Sequence, residues 1–245
     1  HLLISASVGI AIHPAHGQSA TELLQHADQA LYQAKANGRN GYRLYSPETS
    51  NQTRDNLSIE QGLRSGLLQG EFQLHFQPIV ATHSGNPVAW EALLRWQHPR
   101  LGLLAPNAFL QLAEHSGLIL PMGHWVIKQA LEALAQWQRA GIDARLAINL
   151  SERELKQPRF AAQLQQLLAG SKVAPGSLQL ELREAMLLRH SQQAGRLCQA
   201  LSDLGVSIWL DNFGEEYAAF GYLSRLPVAG IKLDCRQLES DSARG

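Results

Sequence analysis

The chain has 245 residues, 45% of them apolar and 17% charged, with 21 basic and 21 acidic side chains. That apolar share builds a sizeable core and excludes wholesale disorder. Zero net charge without a basic run excludes a partner held mainly by DNA or RNA phosphates or by an anionic membrane. A small phosphorylated ligand stays open, because one or two well-placed cations are enough to hold it. Cys198 and Cys235 have no second Cys or His at ligand spacing, which excludes a disulfide scaffold and a thiolate zinc site. No apolar run reaches ~18–20 residues, so no membrane segment is expected, and the opening HLLISASVGIAIHP lacks the basic head of a signal peptide. The expectation is a soluble, cytoplasmic chain in a reducing compartment.

In chain order, residues 3–12 suit a strand, and Leu23, Leu24, Ala27, Ala30, Leu31 and Ala34 recur with a helical period up to Gly38. A short strand follows at 42–46. This opening block is too small to bury its own core and reads as the tail of a domain. Residues 47–58, PETSNQTRDNLS, carry almost no apolar side chains and read as a linker or a solvated lead-in to a helix around Leu63 and Leu67. Strands are then expected at 72–80, 88–96, 145–151, 178–184, 207–214 and 230–234, with helices near 107–115, 123–139, 159–169 and up to Gly205.

Alternation of strands with helices of this length argues a parallel α/β sheet. No Gly-rich turn of a dinucleotide-binding or P-loop type is present. Polar residues gather where several strands end: Glu91, Asn149, Glu181, Asp211, Lys232 and Asp234. Side chains at the C-terminal ends of barrel strands form the site of a TIM barrel. Six strands are counted between 72 and 234, whereas a TIM barrel has eight. The expected fold is therefore α/β, a TIM-type barrel incomplete at its C-terminus.

Within EALLRW (91–96) lies a signature that resembles the EAL domain, a TIM-barrel cyclic di-GMP phosphodiesterase family. Matching pieces stand in family order: FQPIV (76–80), EALLRW, INLS (148–151), ELREAM (181–186), LDNFGEEY (210–217) and IKLD (231–234). SVGIAI (7–12) and ADQALYQAKANGRN (27–40) resemble the C-terminal end of a GGDEF domain, the diguanylate cyclase family, whose signature loop is absent here. The resemblance divides the chain into a GGDEF remnant at 1–46, a linker at 47–58, an EAL domain at 59–238 and a polar tail at 239–245.

What the resemblance implies is hydrolysis of cyclic di-GMP to a linear dinucleotide, with two divalent cations clamping the phosphate and activating water. Hard cations such as Mg²⁺ or Mn²⁺ take oxygen ligands, here Glu91, Asn149, Glu181, Asp211 and Asn212. Lys232 and Glu91 are the implied catalytic residues. Lys232 would hold or deprotonate the attacking water, its pKa falling through desolvation near the metals. Arg95 would grip a phosphate and Gln77 would contact the ligand. Glu184 matches a carboxylate that steadies the loop after Asp211. A homodimer through the EAL domain and sensor or membrane domains upstream belong to the same picture.

Several departures bear on activity. Asn212 replaces a family aspartate, Glu215 and Glu216 replace a small Gly-containing pair, and Arg183 stands where Thr is usual. The family's later Glu and Gln motifs have no counterpart before residue 245. Turnover is therefore expected to be impaired or absent, and the alternative is a degenerate module that binds cyclic di-GMP or a protein without hydrolysis. A barrel enzyme using Lys232 as a Schiff base is a third, less supported reading. His13 and His16 flank Pro14 at a metal-like spacing but lack a third ligand. Trp90, Trp96, Trp125 and Trp137 are assigned to packing, and Gly62, Gly66 and Gly70 form a GxxxGxxxG pattern too polar for a membrane helix pair.

Overall fold

The computed structural model describes residues 6–36, 40–214 and 226–233. At the N-terminus, β1 (Ser7–Ile10) pairs in parallel with β2 (Gly41–Leu44), and α1 (Ala20–Ala36) joins them. Gly9 is required there, because a Cβ would stand 2.0 Å from the carbonyl oxygen of Ala27 on α1. His16 Nδ1 accepts a hydrogen bond from Ile12 N, so this histidine closes a turn.

Of the two forms expected of residues 47–58, the structure shows the lead-in to a helix. These residues open α2 (Pro47–Gln69), a continuous helix with Pro in its first turn and a stop at Gly70, which is left-handed at φ 73°. Composition alone could not separate a polar helical turn from a linker, since Glu, Gln and Arg favour both. The GxxxGxxxG pattern has a local explanation. A Cβ at Gly62 or Gly66 would come 3.1 or 2.9 Å from the Trp96 indole, so these glycines let α2 lie against that ring.

The main sheet comprises β3 (Phe72–Val80), β4 (Pro87–His98), β5 (Gly102–Leu104), β6 (Leu146–Asn149), β7 (Leu178–Arg183), β8 (Ser207–Phe213) and β9 (Gly230–Leu233). Its order is β3-β4-β6-β7-β8-β9, with β5 paired to β4. All six expected strands are present. The β3–β4 pair is antiparallel, unlike the parallel ladder that follows. The physical reason is the connection at 81–86, which is far too short for a parallel crossover. The helices that return the chain are α3 (Leu110–Ser116), α4 (Ile119–Arg139), α5 (Glu152–Leu155), α6 (Phe160–Ser171), α7 (Glu184–Arg189) and α8 (Ser191–Asp203).

The core divides between two clusters. One gathers Leu146, Ile148, Leu178, Leu180, Leu182, Ile208 and Leu210 with the inner faces of α4, α6 and α8. The other centres on Trp96, Phe72, Phe109 and Met122 under α2 and α3, with Trp125 packed against it. Trp90 and Trp137 pack at the margin of the first cluster. All four expected packing tryptophans therefore serve the core.

β7 carries an apolar face and a polar one. Leu178, Leu180 and Leu182 are fully buried against the helices, yet Gln179 and Glu181 on the opposite side are also buried. With β6 on one side and β8 on the other, β7 is no edge strand. Its polar side faces the interior that the sheet encloses.

Candidate active site

In a ladder, paired residues share a face, so the register lists what lines that interior. Gln77 lies opposite Glu91, Glu91 beside Ala147, Asn149 beside Glu181, Glu181 beside Trp209, and Arg183 beside Asp211. Lys232 follows two residues after Gly230, the partner of Trp209. Local sequence explains the placement on β4, β6 and β7: Glu91, Asn149 and Glu181 alternate with Ala92, Ile148, Leu180 and Leu182, which enter the helix-side core.

Lys232 joins the ends of this array. Its Nζ donates to Glu91 Oε2 at 2.7 Å and pairs closely with Glu181 Oε1. β4 and β9 stand four ladder steps apart, which in a flat sheet would be about 19 Å at ~4.8 Å per strand. Only strong curvature brings their side chains to hydrogen-bond distance, and curvature of that degree is what a barrel requires. Asn149 Nδ2 donates to Glu91 Oε1 at 2.9 Å, tying β6 to the same carboxylate.

The electrostatics follow from this packing. Burial pushes the Glu181 carboxyl up to about 7, helped by the charges of Glu91 and Asp211 and opposed by Lys232. Glu181 Oε2 is buried with no hydrogen-bond partner among the described residues. For Lys232, burial acts downward, but its hydrogen bonds to Glu181 and Glu91 outweigh it and hold the ammonium above its ordinary value. Two carboxylates close at hand stabilise the cation more than desolvation harms it.

The remaining expected residues fall around this centre. Arg95 shares the Glu91 face of β4 and donates Nη1 to the Leu94 carbonyl at 2.8 Å. Gln77 is exposed on β3. Buried Glu184, opening α7, accepts the backbone N–H of Gly214 at 2.8 Å, which ties down the segment after Asp211 and Asn212. Asn212 has φ 54° and sits where the β8–β9 register shifts. That conformation suits Asn and Asp better than other non-glycine residues, so backbone geometry as well as charge selects the residue. Asp234, Cys235, Glu215 and Glu216 lie outside the described residues.

A cavity of about 260 Å³ opens beside Asn149, lined by Ala92, Leu94, Pro106, Met122, Glu154 and Arg183 among others. Glu154 was missed, although Ser151-x-x-Glu154 spells a capping box, and both of its reciprocal bonds are formed at the start of α5. Trp209, on the same interior face as Glu181, was also missed.

Among the described residues, no three His, Cys, Asp or Glu side chains converge closely enough to hold a metal by themselves. The donor chemistry still fits a hard cation. The ligands on offer are carboxylate and amide oxygens, Glu181 keeps a buried oxygen without a partner, and two carboxylates already share one cationic group, the Lys232 ammonium.

Comparison with known proteins agrees with this geometry. The model of the EAL domain matches residues 60–244, three quarters of the chain. This chain belongs to the EAL-domain family. Residues 1–41 match the diguanylate cyclase GGDEF domain, so both parts of the resemblance hold. Cyclic di-GMP phosphodiesterase PdeR of Escherichia coli is 37% identical over 230 residues, which cover 94% of this chain and 35% of that protein. The bifunctional diguanylate cyclase/cyclic di-GMP phosphodiesterase MucR of Pseudomonas aeruginosa is also 37% identical, over 232 residues, 94% of this chain and 34% of that protein. The chain thus spans about a third of the length of these relatives.

Among solved structures, the MucR phosphodiesterase in complex with c-di-GMP superposes with a TM-score of 0.72 at 34% identity, over 76% of this chain and 78% of that one. The Pseudomonas aeruginosa FimX EAL domain bound to c-di-GMP gives a TM-score of 0.67 at 28% identity, over 77% of each chain. The curved, largely parallel sheet of this EAL domain is accordingly that of a TIM-type barrel, preceded by a GGDEF fragment.

Proposed function

We propose that this EAL domain recognises cyclic di-GMP and hydrolyses one of its two phosphodiester bonds, with turnover weakened at Asn212. The observation that carries the reading is the convergence of Glu91, Asn149, Glu181 and Lys232 from four strands onto one interior point. Relatives matched along nearly the whole chain are named for the same reaction. In the reaction one P–O bond of the ring breaks, the water oxygen bonds to phosphorus, and the leaving sugar oxygen takes up a proton.

Glu91, Asn149, Glu181, Asp211 and Asn212 would hold Mg²⁺ or Mn²⁺, which when bound supplies positive charge to the phosphate and acidifies water. The ammonium of Lys232 donates to the attacking water and orients it, its own hydrogen bonds to Glu91 and Glu181 fixing its direction. Arg95 presents a planar fork to a phosphate. Gln77, exposed on β3, contacts the ligand at the rim. Glu184 keeps the Asp211–Gly214 segment in place through the Gly214 N–H. The domain acts in the cytoplasm, where a reducing medium suits the free, buried thiol of Cys198, and a homodimer through the EAL domain belongs to the reading.

One observation favours a second reading, binding without hydrolysis: Asn212 offers a neutral oxygen where a carboxylate would add charge for a second cation. A single experiment tests both. Cyclic di-GMP affinity and conversion to linear product are measured across a Mn²⁺ titration for the parent, Glu91→Ala and Asn212→Asp. Metal-dependent turnover that disappears in Glu91→Ala, and rises in Asn212→Asp with little change in affinity, supports the phosphodiesterase. Tight binding with no turnover in any form supports the binding module. No binding at all sinks both.

A further inference from the structure

β9 is the outermost described strand on its side of the ladder, and it is thinly held. Ile231 and Leu233 are exposed, and the register to β8 shifts between Leu210 and Phe213. Lys232 lies opposite that shift, so the ladder alone leaves the residue that matters most on β9 weakly specified. The pair immediately before it is different. Trp209 of β8 lies against Gly230 of β9, and a Cβ at 230 would fall 2.6–2.8 Å from Cζ3, Cη2 and Cε3 of the indole. The six-membered ring therefore occupies the space that any other residue at 230 would fill. Trp209 belongs to neither apolar cluster. It shares the interior face with its ladder partner Glu181, and its Nε1 is buried without a hydrogen-bond partner among the described residues.

The place of the indole is accounted for by its packing on Gly230. We propose that Trp209 is a positioning residue: its ring, seated on Gly230, sets the register and depth of β9 so that the Lys232 ammonium lands between Glu91 and Glu181. The inference rests on the catalytic reading of Lys232, but its geometry concerns this chain's own side chains and needs neither metal nor nucleotide. Bulk on one strand and its absence on the next form a matched pair, in which each residue is explained by the other.

The test reads the accessibility of Lys232 directly. The metal-free protein is treated with a limiting amine-acylating reagent, and modification of each lysine is followed by peptide mass spectrometry, with exposed Lys128 and Lys172 as internal standards. Lys232 in the parent should react far more slowly than either. Gly230→Ala forces the strands apart and should raise Lys232 modification about fivefold while the standards stay unchanged. Adding Trp209→Phe, whose shorter ring frees that space, should bring protection back. Such rescue is not expected of a change that merely loosens the fold. Should Gly230→Ala fail to fold, Trp209→Phe alone opens a gap over Gly230 and should also expose Lys232. A folded Gly230→Ala or Trp209→Phe protein with Lys232 as protected as in the parent overturns the proposal, as does a double variant that regains no protection. Absence of cyclic di-GMP binding would overturn the functional reading and leave this result standing.

Discussion

Of the buried glutamates in this molecule, Glu154 and Glu181 do opposite things. Glu154 sits at the start of α5, where Ser151 Oγ and Ser151 N both donate to its Oε2, at 2.5 and 2.9 Å, and where its own N–H reaches back to Ser151 Oγ. Glu181 sits inside the barrel, shares Lys232 with Glu91, and keeps one oxygen unpaired among the described residues. Burial raises the pKa of both. The lesson is that burial and a perturbed pKa do not by themselves mark a site. What separates the two is the company: a closed local cap at Glu154, and at Glu181 a convergence of charges from distant strands with an acceptor left over.

The largest effect should break the comparison outright. Glu181→Ala is expected to lower apparent Mn²⁺ affinity about a hundredfold, whereas Glu154→Ala leaves it within about twofold, since Glu154 closes its own bonds on α5. Isothermal titration with Mn²⁺ on both variants checks this. Equal losses would show that the cap, too, organises the site.

The next effect concerns stability. A Cβ at Gly123 of α4 would meet Glu154 Oε1 at 1.9 Å, so Gly123→Ala should cost about 1–3 kcal/mol in urea unfolding. Glu154→Ala should cost about 1–2 kcal/mol through loss of the cap. The double variant should lose less than the two costs added, because each change makes room for the other. Strict additivity would mean that the two residues are not in real contact.

A gentler probe uses pH. The folded Glu154 carboxyl titrates above its ordinary 4.5, so protonation favours the native state. Its contribution is complete below 4.5 and is lost as pH rises from there through the folded value, because the unfolded chain ionises first. Glu154→Gln keeps an acceptor for Ser151 and removes the ionisation. It should flatten that part of the stability–pH curve, read by thermal melts from pH 4 upward. An unchanged slope would assign the dependence elsewhere.

The smallest effect is expected at Glu152, which lies close by in sequence but in a wetter place. Lys156 at 2.6 Å and His190 at 2.8 Å lower its pKa to about 2, so its contribution is present above 4.5 and lost as pH falls toward 2. With all partners partly exposed, Glu152→Gln should cost only about 0.5 kcal/mol at neutral pH, and less in high salt. A loss of several kcal/mol would show that this cluster is shielded from solvent far more than its exposure suggests.

Much of this was legible in the sequence. Strand positions followed from Val, Ile and Leu alternating with polar residues, and β3 was placed to the residue at Phe72–Val80. Glu91, Asn149, Glu181, Asp211 and Lys232 stood out as polar residues at strand ends, and six motifs in order gave the family and, through the resemblance, Arg95 and Glu184. Residues whose partners are distant in the chain were less legible. The GxxxGxxxG run gained a meaning only when Trp96 lay over it, and Trp209 only when Gly230 stood opposite.

Alone, then, the sequence determined which segments form strands and helices, which faces are apolar and which chemistry the polar face offers, because periodicity and side-chain type are local properties. Tertiary structure decided how those residues act on one another. The curvature that carries Lys232 of β9 across four ladder steps to Glu91 sets a lysine between two carboxylates. Its pKa moves up, because proximity to charge is a property of the folded interior that spacing along the chain does not encode.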